Sequence, residues 1–360
     1  MSDTKNKYDL SVVIVTKNEE EMIGDCIQSV LSALEFAKEK GMIKTYEVIL
    51  ADSASTDLTI EIAKKYPIRI VQLNKKWQLS ASAGCYIGYL HSNSDLIYFL
   101  GGDMVLDKNW FVNAIPHLKE EKIAAVSGVE EEVLDESTTI GGKMLDSAKL
   151  DMPIGEVDMV GTAIFKREVL NEVGPHNPYL KGGEDRDLAY RIRSAGYKLL
   201  RIDQPSVYHY WAKKSGKLTL RRYLKSAYTW SKGDGQAMRS SIGNESVSIM
   251  HLKRYLNTYF IRLYLNLFLF VSFFYLNIVS FIFLRGNVYL YFTIFINTVI
   301  LILASLYAHI RYKGGKWNEF LFSLHVYPYA FVRHIGFILG FLKKPKDPST
   351  YPTTVKIIKE

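Results

Sequence analysis

The sequence predicts an α/β protein built on a mostly parallel central sheet, followed by a C-terminal transmembrane helical region, and three observations carry that expectation. Short apolar, β-branched runs alternate with segments of helical period through roughly the first 110 residues, the pattern of a parallel sheet covered on both faces. Small and acidic residues follow those runs, at the strand ends where such sheets bind ligands. Beyond about residue 255 come two uncharged apolar stretches, each long enough to cross a bilayer.

Leu10 to Thr16 (LSVVIVT) reads as the first strand. Glu19 to Ala37 reads as a helix with Met22, Cys26, Ile27, Val30 and Leu34 on one face. A second strand, Tyr46 to Ala51, precedes the turn-like DSASTD and a helix over Leu58 to Tyr66. A third strand, Ile68 to Leu73, leads to a helix around Ser80 to His91, and a fourth, Asp95 to Leu100, ends at GGDM. The pattern then changes to strand-like segments at Ala124 to Val129 and Val157 to Lys166, with a helix over Arg167 to Val173. The stretch KGGEDRDLAYRIRSAGYKLLRI reads as a loop, a helix from Asp185 to Ala195 stopped by Gly196, and a strand from Tyr197 to Ile202. Polar sequence from Lys232 to Glu245 reads as a flexible approach to the membrane.

The expected organisation is a catalytic α/β domain over 1–240, a basic juxtamembrane connector over 241–262, a transmembrane hairpin over 263–310 and an amphipathic, interfacial segment over 311–360. The net charge of +8 is unevenly spread. Between Lys213 and Arg262, eleven lysines and arginines are opposed only by Asp234 and Glu245, as suits a segment facing anionic headgroups on the cytosolic side. A solvated helix face is the plain alternative. No aromatic-and-basic motif points to nucleic acid. Arg311, Lys313 and Lys316 follow the second apolar run while the tip carries only Arg285, which directs the tip away from the cytosol. A helix pair buried in a soluble domain is the other reading of the two runs. Two cysteines, Cys26 and Cys85, imply no disulfide framework, and MSDTKNKYDL has no apolar signal-peptide core. The expected location is a cell membrane, spanned more than once, with the α/β domain in the cytosol.

Four clusters fall where strand ends should meet: Thr16-Lys17-Asn18-Glu19, Asp52 to Asp57, Gly102-Asp103 and Glu184-Asp185. Each alone also reads as a turn or a helix start, since SxSTD is a good cap and acids suit the first turn of a helix. With the surrounding stretches SVVIVTKNEE, VILADSASTD, LSASAGCYIG, FLGGDMVLDKNW, GGEDRDLAYRIRSAGYKL and SVYHYW, the sequence resembles the family 2 glycosyltransferases of the GT-A fold, over roughly Tyr8 to Ser240.

That resemblance implies roles residue by residue. Asp52 matches the acid that binds the nucleobase of a nucleoside-diphosphate sugar. Thr16 and Glu19 match the same pocket, and Lys17 stands where many members carry Tyr, within reach of a phosphate. Gly102 and Asp103 match the end of the Asp-X-Asp motif that holds Mg²⁺ or Mn²⁺ on the donor diphosphate, although Gly101 replaces its first acid. His209 matches a second metal ligand; packing among aromatic residues is its alternative role. Asp185 matches the catalytic base, with Glu184 orienting the acceptor or the base. Cys85-Tyr86 stands where many members have Arg-Asn, removing one expected phosphate contact. The implied activity is metal-dependent, inverting transfer from a UDP- or GDP-sugar to a lipid-linked or membrane-proximal glycan. A polyprenyl- or dolichyl-phosphate sugar synthase and a catalytically degenerate nucleotide- or glycan-binding protein are the alternatives.

Overall fold

The structure, a computed structural model, describes residues 7–132, 139–140, 143–144, 153–209, 220–256, 275, 278, 282 and 326–360. Its first strands follow the apolar runs closely. β1 (Tyr8–Thr16), β2 (Tyr46–Asp52), β3 (Arg69–Gln72) and β4 (Ser94–Gly101) lie parallel, in the spatial order β3-β2-β1-β4. The helices α1 (Ile23–Glu39), α2 (Thr59–Ala63) and α3 (Ala81–His91) connect them. Alternation along β1 explains why both faces are covered. Leu10, Val12 and Ile14 join the core beneath α1, whereas Val13 joins the core beneath α3.

The α3 side is unusually close. A Cβ on Gly88 would stand 2.1 Å from Val13 Cγ1, and one on Gly84 2.4 Å from Val15 Cγ1. Two glycines one turn apart thus let α3 lie directly on the strand. Ser80 starts this helix by accepting a hydrogen bond from the Ala83 amide at 3.1 Å.

The second half completes a mixed sheet. After β5 (Met104–Leu106) and α4 (Trp110–Ala114) come β6 (Ile123–Glu132), the short paired strands β7 (Thr139–Ile140) and β8 (Lys143–Met144), and β9 (Gly155–Glu156). β10 (Ala163–Lys166) lies antiparallel between β4 and β6, followed by α5 (Arg167–Val173), α6 (Glu184–Ser194) and β11 (Lys198–His209). β11 runs seven residues beyond the predicted end at Ile202, with register shifts on either side of Pro205, and pairs with β6, β9 and β5. Proline lacks a ladder donor, so the irregularity falls where expected. Of the predicted strand Val157 to Lys166, only β10 is strand.

The C-terminal third differs most from expectation. α7 (Leu220–Ser240) runs through Lys232, where a flexible connector was expected, and α8 (Glu245–Tyr255) follows, capped by Asn244. Two glycines of that stretch are packing positions: a Cβ on Gly235 would stand 2.0 Å from the Phe337 carbonyl oxygen of α9 (Val326–Phe341), and one on Gly233 1.9 Å from that of Gly182, while α9 packs back through Gly340, whose Cβ would stand 2.0 Å from the Lys232 carbonyl oxygen. The segment expected to be interfacial ends on the folded domain itself. Tyr351 packs edge-on against Trp77, Tyr86 and Tyr179, and β12 (Lys356–Lys359) pairs antiparallel with β3. The predicted hairpin, 263–310, lies outside the described residues apart from Tyr275, Ile278 and Ile282. Among the described residues no helix is long and apolar enough to cross a membrane.

Candidate active site

Strand register builds the site. Thr16 pairs with Asp52 and Val15 with Gly101, so β1, β2 and β4 end level and release their loops at one edge of the sheet. An open cleft of about 640 Å³ lies there, and Thr16, Lys17, Glu19, Asp103, Glu184, Asp185 and His209 all line it. These residues span almost 200 positions of sequence and converge as a carboxyl-end cleft should.

The loops after β1 and β2 are knitted together by their own polar groups. The Asn18 amide donates to Ser55 Oγ at 2.8 Å, the Thr56 amide to Asn18 Oδ1 at 2.9 Å, and the Glu19 amide to Thr59 Oγ1 at 2.8 Å. Asn18 and Ala54 adopt positive φ within this weave. Asp52 sits beneath it, fully buried and not among the lining residues. Its carboxylate accepts from the Ser55 amide and hydroxyl and from Gln72 Nε2, at 2.9 Å for the two nitrogens. Asp52 therefore organises the turn, and Ser53 presents the cleft wall in its place. Gly102 likewise stands behind the wall: a Cβ there would lie 2.8 Å from Thr16 Oγ1.

Antiparallel pairing of Met104 with His209 sets the end of β11 beside the turn after β4. His209 Nε2 comes within 3.5 Å of Asp103 Oδ2, both side chains being about one-fifth exposed. That spacing suits two ligands of one cation. Among the described residues, no group of three or more His, Cys, Asp or Glu could hold a metal. A divalent ion would therefore take its remaining ligands from donor phosphate oxygens and water, as Mg²⁺ commonly does.

The start of α6 also lines the cleft. Its cap is Gly183, in the left-handed region at φ 72°, with no side-chain capping bond, so neither Glu184 nor Asp185 is consumed as a cap. A Cβ on Gly183 would meet Asp234 Oδ1 at 2.6 Å. Asp234, buried on α7, pairs with Arg186 and lies 3.9 Å from Arg333 on α9, fixing the neighbour of Asp185 from behind.

The two acids are in different environments. Glu184 Oε2 is out of reach of solvent and finds no hydrogen-bond partner among the described residues. Burial first, and the Asp185 carboxylate second, push Glu184 up to about 8, so its neutral form prevails at neutral pH. Asp185 is 47% exposed and faces the cleft. Burial, then Asp185 and Glu184, push the Cys85 thiol well above its usual value, which fits a packed residue and not a nucleophile.

Glu184 has a consequence for stability. A folded-state value raised above the unfolded one stabilises the fold fully below about pH 4.5, and that contribution is lost as pH rises through about 8. Glu184→Gln should therefore match wild type near pH 5 and exceed its Tm by several degrees at pH 9. Thermal unfolding at the two pH values checks this; equal gaps at both would place Glu184 in water.

Glu130, Trp230 and His176 also line the cleft and were not anticipated from the sequence. Glu130, on β6, accepts from the Thr162 amide at 3.1 Å and from its hydroxyl. Trp230, on α7, is 56% exposed beside Gly182. His176 contacts Asp185 directly, with Nε2 3.6 Å from Oδ1. Each is a lone polar or aromatic residue whose position is fixed by tertiary packing, with no local pattern to announce it.

Comparison with known proteins gives matches in both sequence and fold. Residues 11–174, just under half the chain, match the family description "Glycosyl transferase family 2". Glycosyltransferase AglE of Haloferax volcanii is 26% identical over 197 residues, 53% of this chain and 63% of that protein. Dolichyl-phosphate beta-glucosyltransferase ALG5A of Trichomonas vaginalis is 31% identical over 98 residues, 26% of this chain and 30% of that protein. The matches thus span less than two thirds of either relative's length. Among solved structures, the mannosyltransferase PcManGT from Pyrobaculum calidifontis, in complex with GDP-Man and Mn²⁺, superimposes with a TM-score of 0.54 at 15% identity, covering 93% of this chain and 88% of that one. The chain thus carries, over residues 11–174, the sequence pattern of Glycosyl transferase family 2, on a GT-A-like mixed α/β fold.

Proposed function

We propose that this protein transfers a sugar, with inversion, from a nucleoside-diphosphate sugar to a hydroxyl of a lipid-linked or membrane-proximal glycan. The observation that carries the reading is that one cleft is lined both by the Asp103–His209 pair and by Glu184–Asp185. Glycosyl transfer needs both: charge neutralisation where the diphosphate departs, and a proton acceptor where the hydroxyl attacks.

The site's residues divide the work. Asp103 and His209 would hold a Mn²⁺ or Mg²⁺ ion, which would supply charge neutralisation for the leaving diphosphate. Lys17, on the same wall, meets phosphate oxygens, and Thr16 Oγ1, buried without a partner among the described residues, awaits a hydrogen-bonding group of the donor. Asp185 accepts the acceptor's proton as the acceptor oxygen bonds to the anomeric carbon and the bond to the diphosphate breaks, the electron pair leaving with the diphosphate. Neutral Glu184 has an O–H to donate toward an acceptor oxygen. Asp52 reaches the nucleobase in this reading once its bonds to Ser55 and Gln72 are exchanged for bonds to the base. The PcManGT complex with GDP-Man and Mn²⁺ supports the donor class and the metal.

The test is nucleoside-diphosphate release from a panel of nucleotide sugars by the detergent-solubilised full chain, with and without Mn²⁺ and with membrane lipid extract as acceptor. One donor should be turned over in a metal-dependent way. Asp103→Ala should lower that release by on the order of 10²-fold, the scale of several kcal/mol of charge stabilisation. No release from any donor would overturn the reading in favour of nucleotide or glycan binding alone.

The distant match to a dolichyl-phosphate glucosyltransferase motivates one second reading, transfer to a polyprenyl phosphate. That acceptor is already ionised near neutral pH and hardly needs a base.

A further inference from the structure

His176 lines the cleft from the loop between α5 and α6, and the way that loop is held sets it apart from an ordinary packed histidine. Arg191, on α6, donates to the carbonyls of Val173, Gly174 and Pro175, the three residues immediately before His176, at 2.7 Å to the first and 2.9 Å to the last. Arg191 is itself gripped by the buried Asp187 at 3.0 Å. From the other side, Ser82 Oγ donates to the Asn177 carbonyl at 2.6 Å and Ser80 Oγ to that of Pro178 at 3.4 Å. Both flanks of His176 are thus tied, one to α6, which carries Asp185, and one to α3.

The ring has little freedom inside this clamp. Phe99 and Phe165 meet it edge-on, with centroids 4.9 and 6.3 Å away, and the side chain is 3% exposed. Nδ1 is buried and finds no partner among the described residues, which leaves Nε2 as the atom that meets a polar group. That group is Asp185 Oδ1, at 3.6 Å. The separation is longer than a formed hydrogen bond, and a small rotation of the half-exposed carboxylate closes it. Contacts of catalytic acids and bases commonly tighten in this way when substrate binds.

We propose that His176 is the positioning residue for Asp185: its Nε2–H holds Oδ1, so that Oδ2 is the oxygen presented to the acceptor hydroxyl. The inference rests on the reading of Asp185 as the proton acceptor. It moves no atom between groups. Its effect is to remove the rotational freedom of an otherwise half-exposed carboxylate, and misplacement on the scale of 1 Å costs up to about 10²-fold in rate.

The experiment compares His176→Phe with His176→Gln in the full solubilised chain, using the donor identified by the release panel. Phenylalanine fills the aromatic site without an N–H; glutamine keeps a donor. His176→Phe should lower kcat roughly 10- to 100-fold with donor KM within about twofold and Tm unchanged, and His176→Gln should recover much of the loss. In an Asp185→Asn background His176→Phe should cost nothing further, because it acts through that carboxylate. Full activity of His176→Phe, or a loss that is additive with Asp185→Asn, would overturn the proposal. Should the phenylalanine variant fail to fold, His176→Leu against His176→Gln carries the same comparison. Wild-type turnover by Asp185→Asn alone defeats the base reading, whereas an inactive Asp185→Asn beside a fully active His176→Phe defeats only the positioning role.

Discussion

Asp185→Asn is expected to lower sugar transfer to a hydroxyl acceptor by about 10²- to 10⁴-fold, the range that a positioned general base contributes. The substitution keeps the shape of a side chain that is half exposed at the start of α6, so neither fold nor donor affinity should change. Calorimetric titration with the nucleoside diphosphate and Mn²⁺ separates the two effects: binding should be retained while turnover is lost. Transfer to a phosphate monoester would respond differently, since the nucleophile arrives ionised, and most of the rate should survive. The same variant therefore discriminates the two acceptor classes, and a loss of diphosphate binding would instead mean that Asp185 belongs to the donor pocket. Glu184 does not substitute for it at neutral pH, because its burial favours the neutral acid. Two adjacent carboxyls on one cleft wall, one with an oxygen shut from solvent and one half exposed, are separated by environment alone.

The largest effect on stability should come from a residue that touches no substrate. Gly88→Val is expected to destabilise the protein by about 3 kcal/mol or more, a fall in Tm of roughly 5 °C or more. The clash cannot be relieved by a rotamer change of Val13, because its Cβ and both Cγ atoms lie within 3.1 Å of the position a Gly88 Cβ would take, and Val13 is fully buried. Valine is also a poorer helix former than most residues, though better than the glycine it replaces, so propensity returns only a few tenths of a kcal/mol against a much larger steric cost. Since α3 carries Ser80, Ala81 and Cys85 to the cleft wall, its displacement should also weaken donor binding. An unchanged Tm would show that the helix does not ride on β1 as described.

The first hundred residues were legible in the sequence because each element there satisfies a single local rule. The β-branched runs are buried on both faces, the helical period over Glu19 to Ala37 matches the buried face of α1, and α3 falls within the stretch expected to be helical. The site was legible to the extent that its residues sit at strand ends: Thr16, Lys17, Glu19 and Asp103 need only the fold class to be brought together. Asp52 shows the limit of that logic, since it lies at a strand end yet spends its carboxylate on its own turn. Where tertiary contacts decide, local reading failed. Gly233 and Gly235 look like breakers but lie inside a 21-residue helix because other backbones approach them closely. KIIK is too short to declare itself, and becomes a strand because β3 offers it an edge. His176 sits in a proline-containing loop without period, and its role depends on Arg191, Ser80 and Ser82 from two other elements.

The return of the chain to β3 has a topological meaning. Before residue 257 the polypeptide is anchored through α8, where Tyr255 stacks on Phe337 of α9 with ring centroids 4.4 Å apart; from residue 326 it is anchored again through α9 and then β12. Both anchors therefore lie on one folded body: α9 packs along α7 and β12 extends the sheet at β3, so the last described residues of the chain complete the same sheet that its first strands begin.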